Sequence, residues 1–367
     1  MRWTLTTILI IAATDLSAQS IEKASWAFGA NSFYGGVLRY KENMKKLDWT
    51  GLYGIELYAN KLTNGRNQWE RLFNYPELGV ALEYYNYNVP AELGEVVSAT
   101  SYLDFTLNNG KRNKWCINIG SGFVYSSKRF DPERNPENKA ISSRISYVAR
   151  GTVHYEFMLS DNLFLNLNAA FRHYSNGRLN IPNNGMNFPV FGVGIKYVPN
   201  PSKIDFKKDT GAYFDRSIKF NVMGAIAWRE VLQEDFKHKA LSASVYLSKQ
   251  ITKYNTVLLG VDAFHYDKES MVRALNVHKS KFLPEDYVLD YDGRQLAITV
   301  GGELLIGKLS VIFQGGFYVY KPQILYADWY QRYGFKYLVT NKIFTRATLK
   351  AHSRTADMME FGFGVTF

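Results

Sequence analysis

Residues 163–175 read LFLNLNAAFRHYS. Leu163, Leu165, Leu167, Ala169 and Phe171 alternate with Asn166, Asn168 and Arg172. Successive side chains of a β-strand point to opposite faces, so this stretch is a strand with one apolar and one polar wall. The pattern recurs: sixteen alternating segments, separated by turn chemistry, fill the chain, eight between residues 26 and 199 and eight between 217 and 367. Strands of roughly ten residues in such number are the mark of a transmembrane antiparallel β-barrel, in which apolar rows meet lipid and polar rows line the interior.

The composition agrees. Of 367 residues, 26 are Tyr and 24 are Phe, suited to interface girdles, and the only Cys, Cys116, lies in mid-chain and suggests no disulfide framework. The opening MRWTLTTILIIAATDLSAQS has Arg2, an apolar run and small residues ending at Ala18, so residues 1–18 are expected to be a signal peptide. No later apolar run approaches the ~20 residues of a membrane-spanning helix. The net charge of +11 fits anionic lipid phosphates, and export argues against nucleic acid. The final alternating strand, EFGFGVTF, ends on Phe367 and resembles the last strand of bacterial outer-membrane barrels.

Tight connections (NNGK, LSDN, IGK, TNK) follow strands 4, 6, 12 and 14, while FDPERNPENKAIS and ESMVRALNVHKSKFLPEDYVLDYDG are long. With strand 1 running outward, the long loops lie outside, as in outer-membrane barrels. LTNGRNQWERLFNYPE, between strands 2 and 3, is too long for this rule. GSGFVYSSKRF and FGVGIKY are echoed later by QGGFYVYKPQI and FGFGVTF, which suggests a duplicated eight-strand unit: residues 19–199, a joint at 200–216, and residues 217–367. A single sixteen-stranded barrel with an aqueous lumen is expected, with fourteen strands or two eight-stranded barrels in tandem as the alternatives.

His173 and Ser175 continue the apolar row of residues 163–171, so they are expected on the outer wall, at the extracellular end of their strand. Counting back by twos from Tyr197 through Ile195, Val193 and Phe191 brings Asn187 to the same wall. Polar groups facing lipid are costly unless paired or used.

HYSNG at 173–177 followed by PNNGMN at 182–187 resembles the lipid A 3-O-deacylase (PagL-like) family of outer-membrane β-barrel hydrolases, over about residues 21–199. The resemblance implies that Ser175 is the nucleophile, His173 the general base, and that a group on the next strand orients the imidazole. Where the family carries glutamate, this chain has Asn187. An amide oxygen can fix the tautomer but cannot stabilise the imidazolium by charge. Asn176 and Gly177 are the candidate oxyanion donors, and Arg178 is the candidate contact for a lipid A phosphate. Glu156 is an alternative orienter. The implied partner is lipid A or lipopolysaccharide within outer-membrane lipid, and no cofactor is required.

In the second half, KAHSRTAD stands where HYSNG stands in the first, but parity turns His352 to the opposite face from Ser353, so no second site is expected. His154, His265 and His278 show no metal-ligand spacing, and the acidic run 284–293 reads as a solvated loop. Two functions follow. One is an outer-membrane esterase acting on an ester-linked acyl chain of lipid A. The other is a porin-like or structural barrel with an inert His-Ser cluster.

Overall fold

The computed structural model describes residues 25–38, 51–108, 112–200, 206–207, 214–231, 236–323, 327–353 and 355–367. The expected signal peptide and most of the 200–216 joint lie outside the described residues. The first eight strands are β1 (Trp26–Gly35), β2 (Leu52–Lys61), β3 (Glu77–Asn86), β4 (Glu95–Thr106), β5 (Asn113–Ser126), β6 (Ile145–Ser160), β7 (Leu163–Ser175) and β8 (Met186–Tyr197). The second eight are β9 (Ile218–Arg229), β10 (His238–Gln250), β11 (Asn255–Tyr266), β12 (Arg294–Ile306), β13 (Leu309–Tyr320), β14 (Trp329–Leu338), β15 (Ile343–His352) and β16 (Thr355–Thr366). All neighbours are antiparallel, and the class is the all-β barrel that the alternation demands.

Closure differs from the single sixteen-stranded barrel expected. β8 returns to β1, from Phe28↔Tyr197 to Gly35↔Val190. β16 returns to β9, from Met359↔Trp228 to Thr366↔Asn221. The molecule is therefore two closed barrels of eight strands, the tandem alternative. Once β8 has satisfied β1, no open edge remains to receive β9 or β16, and the shorter loop closes at lower entropic cost. The echoed segments occupy equivalent places: β5 and β13 are the fifth strands of their barrels, β8 and β16 the eighth. The Gly-x-Gly pairs of β5, β8 and β16 face inward, as does Gly316 of β13, and let so narrow a barrel be filled with rings. A Cβ on Gly192 would lie 2.4 Å from the Phe33 ring, and one on Gly364 would lie 2.4 Å from the Phe344 ring.

Among the described residues side chains fill both barrels at mid-height, so the expected continuous aqueous lumen is not seen; the first barrel keeps a cavity of about 430 Å³ at the β2–β3 end, lined by Glu77, Glu156, Phe164 and Lys196. Eight strands leave space for side chains and little more. At mid-height in the first barrel two carboxylates meet two guanidinium groups: Arg172 Nη2 is 2.6 Å from Glu83 Oε1, and Arg150 Nη2 is 2.8 Å from Glu56 Oε2. Toward the end of β7, Tyr85, Tyr87, Tyr174 and Phe188 close the barrel with Ala140 and Ile141 from the β5–β6 loop. The second barrel repeats the solution with other residues. Arg332 binds Asp262 and, at 2.6 Å, Glu360; Arg229 binds Asp357 at 2.6 Å and Lys336 binds Glu303 at 2.9 Å. Outside, the arrangement inverts: Leu57, Leu82, Ile119, Phe191, Val300 and Phe363 are all exposed, forming the apolar wall that meets lipid. No helix among the described residues is long and apolar enough to cross a membrane.

Two segments expected as loops contain helices. α1 (Gln68–Leu72) lies in the overlong β2–β3 connection and reaches the second barrel, where Tyr254 Oη donates to Leu72 O at 3.1 Å and the Tyr254 ring meets Phe73 edge-on at 5.2 Å. That contact accounts for the length of the connection. α2 (Lys268–Phe282) follows β11, starts where the Asp267 carboxylate accepts from the Glu269 and Ser270 N–H groups, and buries Met271 and Leu275 in the aromatic end of the second barrel. It acts as a lid on that barrel.

Two outcomes follow from the filled interiors. In planar bilayers the protein is expected to conduct no measurable ionic current, and porin-like steps in conductance would contradict the packing. Glu83→Ala leaves buried guanidinium charge uncompensated and is expected to destabilise the first barrel by about 3–5 kcal/mol, seen as an earlier urea unfolding transition in detergent.

Candidate active site

β7 and β8 place the sequence-selected residues. Along β7, Asn166, Asn168, Arg172 and Tyr174 are buried inside, whereas Leu167 and Phe171 are exposed and His173 and Ser175 are half-buried on the same outward face. In the β7–β8 ladder His173 lies directly opposite Asn187. Cross-strand partners on one face bring their side chains together. His173 Nδ1 and Asn187 Oδ1 are 2.7 Å apart. With the amide oxygen as acceptor, the ring proton sits on Nδ1, and Nε2 is the basic nitrogen.

Ser175, the last residue of β7, sits under a turn. Its Oγ accepts from the Gly177 N–H at 3.2 Å and from Asn183 Nδ2 at 2.9 Å. Both bonds fall on the oxygen, so the hydroxyl hydrogen remains available to a base. Among the described residues no hydrogen bond joins Ser175 to His173, although strand geometry puts the two on one face. Asn183 also accepts from the Asn176 N–H through Oδ1 at 3.3 Å and so clips the turn from both sides. It belongs to the quoted PNNGMN, but nothing in its spacing singled it out from its neighbours.

Asn176 is 1% exposed, on the interior parity of β7, and its amide is spent on the scaffold: Nδ2 donates to Ser143 Oγ at 2.8 Å, to Ser142 Oγ at 3.1 Å and to Asn180 O at 3.1 Å. Its Oδ1 accepts from the Arg178 N–H at 3.0 Å. The side chain therefore shapes the turn. Gly177 has φ +63° and Arg178 φ +71°, and this left-handed pair aims the Gly177 N–H back at Ser175. The Arg178 guanidinium faces the second barrel, where its Nε and Nη1 lie 3.4 and 3.5 Å from Glu230 O and Ala356 O.

Other candidates fall away from this wall. Glu156 lies inside the first barrel, bound to Lys196 at 2.8 Å, and does not orient His173. His352 lies inside the second barrel, 3.0 Å from Tyr318 Oη, on the interior side that parity assigns it. His154, for which spacing gave no metal partner, is grouped in space with Asp104 and Cys116, their donor atoms all within 4.8 Å. Its Nε2 is already 2.9 Å from Asp104 Oδ1, and the Lys196 ammonium holds the adjacent Glu156, so the electrostatics favour an internal ion-pair network over a cation.

Residues 53–196 match the family model described as lipid A 3-O-deacylase (PagL), and residues 216–367 match that described as acyloxyacyl hydrolase, C-terminal domain. The chain belongs to the PagL family. It is an outer-membrane β-barrel. Each family model falls on one barrel, the deacylase model on the barrel that carries His173, Ser175 and Asn187. Among solved structures, the chain is similar to the outer membrane enzyme PagL (16% identity, TM-score 0.34, covering 46% of this chain and 99% of that one). It is also similar to Neisserial surface protein A (8% identity, TM-score 0.35, covering 47% and 96%) and to a mutant of the Rh. blastica porin (12% identity, TM-score 0.20, covering 93% and 100%). No curated protein matches the chain.

The Nδ1–Oδ1 bond generates a prediction. Asn187→Leu removes the acceptor that fixes the His173 ring, and with a hydrogen bond to a charged imidazolium contributing about 1.5–3 kcal/mol, ester turnover is expected to drop by one to two orders of magnitude. Asn187→Asp, which supplies the missing charge, is expected to raise kcat. Equal turnover of wild type and Asn187→Leu would remove Asn187 from the site.

Proposed function

We propose that this PagL-family chain is an outer-membrane esterase that hydrolyses an ester-linked acyl chain of lipid A, with Ser175 as nucleophile and His173 as base. The observation that supports it best is the outward-facing His173–Asn187 pair, with His173 two residues before Ser175 on the same face of β7, on a wall where unpaired polar groups would be costly. The family's own description names the substrate class, and the site's height on the barrel suits a lipid whose ester bonds lie between sugar and acyl chains.

The chemistry follows from the donors in place. His173 Nε2 takes the Ser175 proton as Oγ attacks the ester carbonyl carbon, and the carbonyl π pair moves onto oxygen. The Gly177 N–H, held by only a 3.2 Å bond to Oγ, turns to that oxyanion. Asn183 Nδ2 supports the same region. Collapse breaks the bond to the sugar oxygen, which leaves with the proton from Nε2, and the acyl group stays on Ser175. Water, deprotonated by Nε2, then attacks the acyl carbon; collapse breaks the acyl–Oγ bond, Nε2 returns the proton to Ser175 Oγ, and the fatty acid is released. Asn187 orients the ring throughout without supplying negative charge, so turnover is slower than with a carboxylate in its place. Arg178 is the proposed phosphate contact, since its two long bonds to carbonyl oxygens are readily exchanged for bidentate pairing with an anion.

Against the porin-like alternative, the described residues fill both barrels at mid-height, where Arg172 and Arg332 meet their carboxylate partners. The deciding experiment is mass spectrometry of lipid A from cells expressing the protein. A loss of one acyl chain is expected with the intact protein and no loss with Ser175→Ala or His173→Ala. Full activity in Ser175→Ala would exclude this serine as nucleophile.

A further inference from the structure

The turn that carries the Gly177 N–H is held from two sides, and one of them is the other barrel. Its first residues are tied to the first barrel by the Asn176 amide, as described above. Its later residues are tied to the second. The Ile181 N–H donates to Glu230 Oε2 at 2.7 Å, and the Glu230 N–H donates to Arg178 O at 3.1 Å. Glu230 is 4% exposed, and Lys237 Nζ lies 3.4 Å from the same carboxylate oxygen. At Gly177 the backbone touches the second barrel directly, because a Cβ there would come 2.3 Å from Met359 Cγ.

We propose that Glu230, just past the end of β9 in the second barrel, is a positioning residue for the first barrel's site: it fixes the 176–182 turn and so keeps the Gly177 N–H beside Ser175. This rests on the reading of Ser175 as nucleophile. A carboxylate accepting from a backbone N–H makes a charge-assisted bond, shorter and stronger than the neutral bonds elsewhere in the turn. Gly177 itself has no side chain to anchor, and its φ of +63° is set by what holds the residues on either side. The second barrel thereby acquires a role in catalysis without a reactive group of its own.

The test uses the full-length protein in detergent micelles, with lipid A as substrate. Glu230→Ala is expected to lower kcat by roughly 10–100-fold, the scale of a misplacement of about 1 Å, while KM stays nearly constant. Glu230→Gln, whose amide oxygen still accepts from Ile181, is expected to keep most of the turnover; Glu230→Asp, too short to reach, is expected to lose it. Amide hydrogen exchange gives a readout independent of activity: the Ile181 N–H exchanges faster in Glu230→Ala and Glu230→Asp than in wild type and Glu230→Gln. Wild-type kcat and wild-type exchange in Glu230→Ala would overturn the proposal, as would a Glu230→Gln variant as impaired as Glu230→Ala. If Glu230→Ala does not fold, the contrast between Asp and Gln decides in the same way. Full turnover in Ser175→Ala, by contrast, would refute the nucleophile while the exchange data still decide whether Glu230 holds the turn.

Discussion

Each half of the chain closes on itself through backbone hydrogen bonds, β8 to β1 and β16 to β9, and the rest of the molecule depends on that. In hydrocarbon there is no water to satisfy an open strand edge, so a sheet that does not close cannot remain in the membrane. Closing after eight strands sets the radius, and the radius sets the interior. There is room for Arg172, Glu83 and a few rings, with none left for a channel. Charge that would be prohibitive in lipid is stored inside as compensated pairs, while the outside is given to Leu, Val, Ile and Phe.

Against that wall the polar side chains of His173, Ser175 and Asn187 stand out. Directly opposite positions on β7 and β8 bring the imidazole to the amide. The turn beyond them supplies the rest: an amide from Asn183 and a backbone N–H from Gly177, both on the Ser175 hydroxyl. The two left-handed residues at the turn allow the chain to reverse so closely that residue 177 can bond back to residue 175.

The strands were legible because alternation with period two is a property of each segment alone. LFLNLNAAFRHYS shows which side of its strand meets lipid before anything is known of its neighbours. Closure was not legible, since alternation does not say which strand an edge will meet. FGVGIKY and FGFGVTF, each ending a set of eight, held the clue, but their inward glycines have meaning only once Phe33 and Phe344 are seen lying over them. The two helices hid in segments judged by length and polarity. The pairing of Asn187 with His173 followed from parity, whereas Asn183 acts through a folded turn and Glu230 through a contact 49 residues away along the chain, and neither leaves a periodic trace.

The barrels touch at two heights, through Phe73 and Leu72 on Tyr254 at one end and through Arg178 and Ile181 on Glu230 at the other. Two cylinders that meet at a single level can roll or tilt about each other. Pinned at top and bottom they behave as one plank, with a fixed front, back and groove. The turn beyond β7 and the connection between β2 and β3 are therefore shared walls of the joint, and a shift of either cylinder is felt at both.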